Sequence, residues 1–192
     1  MKEVKAAPQM IPSLEDHPLN NAEANKKQYR AFKKVVATKS LPVLDIPYPS
    51  AELYNLRNMY FVLDHERERV AYLMKYEVRT IRGKKAAYQV MVWSNPDISS
   101  MRKYASTVFF EQLFEKTDLV TTDRQQTPAG QRFWRNAVDI ALMSHYRVYF
   151  LNMKSKKSIP IKSTKDIAKL EDSIWTDVEK GTGNLLIISK SL

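Results

Sequence analysis

The run DLVTTDRQQTPAGQRFWRNAVDIALMSHYRVYFLN, residues 118–152, decides the fold class. Its opening DLVTT is a short apolar run between polar flanks, which predicts a strand over 118–122. Thr127 and Pro128 then mark a helix entry, because proline at the first helical position loses no intrahelical bond and the threonine hydroxyl can take up a free amide. This helix is expected to reach about Met143, with Phe133, Trp134, Ala137, Val138 and Ala141 on its inner stripe. RVYFLN, residues 147–152, returns as a strand. A strand, a helix and a strand in succession form a crossover connection, so at least part of the sheet must be parallel.

Upstream, residues 58–93 read as an antiparallel meander. NMYFVL, RVAYLMKYEV and AAYQVMVW are rich in Tyr, Val, Met and Trp, and polar turns at 64–67 and 82–85, the second holding Gly83, separate them. SNPDISS stops the sheet, and a helix is expected from Met101 to about Glu115 on the stripe of Met101, Tyr104, Ala105 and Val108. Downstream, a basic loop leads to Ser163 and Asp166, spaced as a capping box, and NLLIIS at 184–189 reads as a closing strand. The first twenty residues, with Pro8, Pro12, His17 and Pro18, read as an extended arm. Asn21 caps a helix over 22–37 whose Tyr29, Phe32 and Val36 share one stripe. SLPVLDIPYPS, residues 40–50, holds three prolines and is expected to be irregular. The expected organisation is an N-terminal arm, basic amphipathic helix and proline-rich linker over 1–50, then an α/β domain with a mixed central sheet over 51–192.

At 192 residues and 44% hydrophobic, the chain suits one domain with a complete core. It has no cysteine, which excludes disulfides and a thiol nucleophile, and its three histidines leave few zinc ligands. No GxGxxG, GxxxxGK, HExxH or EF-hand spacing occurs. No stretch of eighteen apolar residues is present, and acids and prolines stand where a signal peptide needs its apolar run, so a cytoplasmic location and no membrane are expected. The formal charge of +10 calls for an anionic partner. It divides as +3, +2, +2 and +3 over 1–50, 51–100, 101–150 and 151–192, so no basic tail accounts for it. Two acid-free runs concentrate it: 25–44 with Lys26, Lys27, Arg30, Lys33 and Lys34, and 147–165 with Lys154, Lys156 and Lys157. These are candidate contacts for nucleic acid or an acidic protein, beside the plain reading of solvated basic faces.

Residues 58–152 resemble the core of the GCN5-related N-acetyltransferase (GNAT) fold. The stretch 118–152 looks like GNAT-like sequences often found in phage and prophage proteins, with Thr122, Asp123, Thr127, Pro128, Gly130, Trp134, Tyr146 and Val148 as the matching residues. The resemblance implies transfer of an acyl group from acetyl-CoA or another acyl-CoA to an amine, in the host cytoplasm if the protein is phage-encoded. It implies contacts to the coenzyme phosphates from Ser99, Ser100, Arg102 and Lys103 in the turn WSNPDISSMRK, where the family carries a glycine-rich phosphate loop. Asp123 would orient substrate, His145 would take the amine proton, and Tyr104 or Tyr146 would be recruited to protonate the thiolate, since Trp134 stands at the tyrosine position and indole cannot give up its proton.

Each residue also has a structural reading. Asp123 and Arg124 suit a loop leading to the Thr127 cap, His145 suits a surface imidazole closing a helix, and Tyr146 suits the core. The turn at 94–100 has no glycine and carries Asp97, which would repel a phosphate. Two further readings therefore stand beside the enzyme: a non-catalytic GNAT-shaped protein that binds a host protein or nucleic acid, and a structural or virion-associated protein anchored by its proline-rich arm. His65 in DHERER reads as part of a solvated turn.

Overall fold

The computed structural model describes residues 17–44, 46, 50–98, 108–122, 128–175 and 184–190. A short turn of helix at Pro18–Asn20 leads into α1, Ala22–Lys39, where the Asn21 side chain accepts from Ala24 N–H at 3.0 Å as a cap. Five strands follow: Val43–Leu44 (β1), Ala51–Leu56 (β2), Met59–Asp64 (β3), Arg69–Ile81 (β4) and Lys84–Ser94 (β5). Val108–Leu113 winds as a π-helix and Phe114–Lys116 as an α-helical turn, together α2. Then come Leu119–Thr121 (β6), Pro128–Met143 (α3), Arg147–Leu151 (β7), Ser158–Ile161 (β8), Thr164–Ile174 (α4) and Leu185–Ser189 (β9). Ser163 and Asp166 form the capping box that their spacing predicts, with Asp166 Oδ2 accepting from Ser163 N–H at 3.0 Å.

These strands form one mixed sheet in the order β1-β2-β3-β4-β5-β6-β9-β7-β8. The meander β2 to β5 is antiparallel, β6 joins β5 in parallel, and β9 lies antiparallel between β6 and β7. The crossover thus makes β6 and β7 run the same way without touching, because the last strand of the chain takes the place between them. The structure also contains two strands in segments that read as irregular, β1 within 40–50 and β8 within the basic loop. Both lie at sheet edges, where Pro160 can sit in β8 without breaking a central ladder.

Helix α1 covers one face with Tyr29 and Phe32, packed on Tyr54, Phe61, Leu63, Leu73 and Trp93. Helices α2, α3 and α4 cover the other with Phe109, Trp134, Val138 and Ile167, packed on Tyr60, Val62, Met74, Val120 and Ile188. Layers on both sides explain why β3 reads as a near-continuous apolar run rather than an alternation. On the α1 side, beyond the helix, Ala86, Tyr88, Leu119, Leu151, Leu185 and Ile187 form a third buried cluster. The Arg79 guanidinium lies over the Tyr88 ring at 4.2 Å, and Ile81 and Met153 close the rim. The twist of so wide a sheet brings two of its corners together over this face. Arg82, in the turn between β4 and β5, donates from its guanidinium to the Lys156 carbonyl, in the loop between β7 and β8, at 2.5 Å.

Candidate functional site

Ligands in open α/β sheets gather where neighbouring parallel strands part at their carboxyl ends. In this chain β5 and β6 pair only from Ala86↔Leu119 to Tyr88↔Thr121. Strand β5 then runs on to Ser94, while the other strand turns to β9: Thr122 N–H donates to the Leu186 carbonyl at 3.0 Å, and Leu186 N–H donates to Thr122 Oγ1 at 3.1 Å. Among the described residues, the β5 edge over 89–94 therefore has no strand partner on this side, which leaves main-chain donors and acceptors open to a ligand. Past Ser94 the chain is fixed by Asn95, whose N–H donates to Ala71 O at 2.9 Å and whose Oδ1 accepts from Asp97 N–H at 3.0 Å.

Two buried polar groups belong to the layer between the sheet and its helices. The Tyr72 hydroxyl, on the β4 residue opposite Ser94, and the Trp134 Nε1–H of α3 have no hydrogen-bond partner among the described residues, and both residues are completely buried. Burial pushes the Tyr72 hydroxyl pKa up, so this side chain keeps its proton. An unpaired buried polar group is destabilising by about 1–3 kcal/mol, so both positions favour a partner.

Of the residues that the sequence singles out, Ser99, Ser100, Arg102, Lys103, Tyr104 and Asp123 lie outside the described residues. His145 and Tyr146 are described and precede Arg147, which is level with the amino end of β6, whereas the strands part at its carboxyl end. Helix α3 begins a few residues after β6 ends and spans 16 residues, about 24 Å at 1.5 Å per residue. Its end leads to Arg147, level through Ser189 with Leu119, the first residue of β6. His145 is exposed there in the left-handed region, φ 61°, where it reverses the chain after the helix. Tyr146 packs on Phe114 and Phe110, ring centroids 5.0 and 5.3 Å away, as its core reading predicts. The two therefore do not share a place with Thr122 and the free β5 edge.

The basic residues of α1 divide. Lys26 pairs with Glu68 at 2.9 Å and Lys33 lies 5.7 Å from the Tyr29 ring centre, whereas Lys27, Arg30 and Lys34 point to solvent. A hollow of about 490 Å³ lies between the end of α1 and the β2–β3 turn, lined among others by Val35, Lys39, Leu56, Lys75, Tyr76 and Glu77, the last two paired with Gln89 and Tyr88 of β5. Among the described residues, no three His, Asp or Glu side chains gather as a metal site, and no helix is long and apolar enough to cross a membrane.

A polar constellation that the sequence does not announce holds α1 to the meander. His65 Nε2 lies 2.6 Å from Glu52 Oε2, and its Nδ1 lies 3.0 Å from the Tyr29 hydroxyl. The Tyr54 hydroxyl donates to the same Glu52 oxygen. With Nε2–H donating to the carboxylate, Nδ1 accepts from Tyr29, so both ring nitrogens are occupied. This gives the turn at 64–67 a structural role, since Asp64, buried beneath it, accepts from Arg69 Nε at 3.1 Å. His17 likewise belongs to the fold: its ring stacks on Trp93 at 5.5 Å and its Nδ1 accepts from Leu19 N–H at 3.2 Å.

The Tyr54 hydrogen bond holds the Glu52 carboxyl below the usual glutamate value, assisted by His65, while partial burial opposes the shift. Glu52 therefore releases its proton more readily in the folded chain than in the unfolded one. The stability it contributes is complete above the ordinary glutamate pKa and is lost as pH falls through the lower folded value. Tyr54→Phe is expected to move the Glu52 titration upward and to reduce this acid-side loss. Carbon-detected NMR titration of the Glu52 carboxyl reads the shift; an unchanged midpoint would show that Tyr54 does not set it.

A scan against protein-family models finds no match for this chain, and no curated protein matches it.

Proposed function

We propose that the chain is a GNAT-like acyltransferase, which binds an acyl-CoA along the free β5 edge and passes its acyl group to an amine. The observation that carries this reading is the parting of two parallel strands after Tyr88↔Thr121, within the strand order β4-β5-β6-β9-β7. An antiparallel meander followed by helix, strand, helix, strand and a closing strand is the element order that the GNAT resemblance implies, and it supports this reading.

The described residues fit the coenzyme in two respects. Its pantetheine arm carries amides that can hydrogen-bond to an unpaired strand edge, which residues 89–94 provide. The Tyr72 hydroxyl supplies a proton-bearing group without a partner on the strand beside that edge. When bound, the coenzyme would supply a thioester activated toward an amine nucleophile. The residues around the divergence would hold the arm extended and keep water from one of its sides.

Isothermal calorimetry with acetyl-CoA tests the reading. Binding tighter than about 1 mM is expected, and no heat at millimolar ligand would overturn it. A second reading, a GNAT-shaped binder without catalysis, is favoured by the position of His145 and Tyr146 at the far end of α3 and by the complete burial of Trp134. Acetyl-CoA binding without acetylation of any amine in a panel of polyamines, aminoglycosides and lysine peptides would support this second reading over the first.

A further inference from the structure

Two turns far apart in sequence, residues 82–85 and 152–157, belong to different corners of the sheet and meet over one of its faces through the bond from the Arg82 guanidinium to the Lys156 carbonyl. Between them they carry Arg82, Lys84, Lys85, Lys154, Lys156 and Lys157, and neither contains an acid. Among the described residues, none of the six side chains is in an ion pair. The nearest carboxylate recorded at either turn, Asp118, accepts from the main-chain N–H of Lys85 at 2.9 Å, while Asp118 N–H donates to the Lys85 carbonyl at 2.8 Å.

Both turns are built rather than loose. Arg82 and Gly83 take φ values of 50° and 77°, as a tight hairpin turn requires, and the pair needs a glycine or a tolerant residue at each position. In the other turn the Asn152 side chain accepts from Lys154 N–H at 3.1 Å and from Ser155 N–H at 2.9 Å. Asn152 N–H donates to the Lys157 carbonyl at 2.9 Å, and Met153 N–H donates to Asn184 Oδ1 at 3.2 Å. Like charges held this close repel one another, yet the fold clasps them together instead of letting them spread.

We infer that this pair of turns is a docking surface for the phosphodiester backbone of nucleic acid, bound without regard to base sequence. Lysine and arginine with small polar neighbours suit contacts to phosphate, which position a protein without reading sequence. A protein partner is less well served, because protein interfaces build their centres from apolar and aromatic side chains and are depleted in lysine. The two turns offer Ser155, Asn152 and Gly83, and their apolar Met153 packs inward. The inference stands on these two turns and does not depend on the proposed acyl-transfer cleft.

Fluorescence anisotropy with a labelled mixed-sequence DNA duplex of about 20 base pairs, and with RNA of the same length, tests the inference. Each neutralised phosphate steepens the plot of log affinity against log salt by about 0.9. With most of the six cations engaged, a slope of about −3 to −5 is expected. Lys154→Glu, Lys156→Glu and Lys157→Glu together should lower affinity by at least about tenfold at low salt and flatten the slope by two to three contacts' worth. Lys84→Gln with Lys85→Gln, in the other turn, should act in the same direction and guards against a local folding defect in the first variant. Lys27→Glu, Arg30→Glu and Lys34→Glu on α1 should change little. The inference is overturned if the wild-type chain does not bind either nucleic acid, if neither turn variant weakens binding, or if the α1 variant weakens it equally. Equal affinity for poly-glutamate of matched charge would also overturn it, because the surface would then be a general polyanion binder. Tighter binding of DNA or of RNA would identify which nucleic acid it takes.

Discussion

Asn25→Ala is expected to be among the most destabilising substitutions in the chain, at about 3–5 kcal/mol, because it removes the side-chain partner of three buried main-chain groups at once. Val70 is fully buried in β4, and its pairing with β5 has not begun, since the first β4–β5 pair is Tyr72↔Ser94. The Asn25 side chain takes the place of the missing strand: its Oδ1 accepts from Val70 N–H at 2.7 Å, and its Nδ2 donates to the Val70 carbonyl at 3.1 Å. Nδ2 also donates to the Leu19 carbonyl at 3.0 Å, which ties the turn before α1 to the sheet. Alanine can make none of these bonds and leaves a void too small for the groups to be hydrated. For a domain of this size the loss corresponds to a fall in Tm of roughly 10 °C. Asn25→Asp keeps the acceptor but sets a buried carboxylate oxygen against the Val70 and Leu19 carbonyls, and should cost at least as much as Asn25→Ala. Urea denaturation reads the difference, and a loss under about 1 kcal/mol for Asn25→Ala would mean that α1 is held by its apolar stripe alone.

Phe109→Ala should cost about 3–5 kcal/mol as well, by a different route. Phe109 is fully buried and touches four aromatic rings, with centroids 5.0 Å away at Phe110, 6.2 Å at Phe114, 5.6 Å at Phe133 and 5.3 Å at Trp134. Several of these contacts are edge-to-face, the geometry that aromatic quadrupoles prefer. Phe109 thus joins α2 to α3, and its removal opens a cavity beside the Trp134 indole that neither helix can fill without moving. Phe110→Ala, at a half-buried neighbour, should cost less. Thermal melting together with Trp fluorescence distinguishes the outcomes. A loss of stability with a red-shifted emission is expected, whereas an unchanged melting curve would mean that α2 does not depend on this contact.

Much of this architecture can be read from periodicity because it is local. The three meander strands, the helix starting at Pro128, the Ser163–Asp166 capping box and the NLLIIS strand each announce themselves within a few residues. What cannot be read depends on partners distant in the chain. Nothing in NLLIIS says that β9 will enter between β6 and β7, since a strand buried on both faces accepts either neighbour. SIPI reads as loop because Pro160 and the surrounding lysines hide a short edge strand. The charges of DHERER look solvated, yet His65 meets Glu52 and Tyr29, 13 and 36 positions away. Arg82 meets Lys156 across 74 positions. The site is less legible than the fold for the same reason. His145 and Tyr146 follow the helix that leaves the divergence, but α3 returns the chain to the level of the amino end of β6. The Tyr72 hydroxyl, which has no hydrogen-bond partner among the described residues, lies within an ordinary strand sequence and gives no local sign at all.

The proposed acyl-CoA site lies where β5 parts from β6. Titration of ¹⁵N-labelled protein with acetyl-CoA, followed by amide chemical shifts, tests that claim most directly because it reports both binding and location. The predicted result is saturable shifts concentrated at residues 89–94 and at Thr121 and Thr122, with Ser144, His145 and Tyr146 unmoved. Shifts absent at millimolar ligand, or confined to the α1 hollow or the far end of α3, would contradict it.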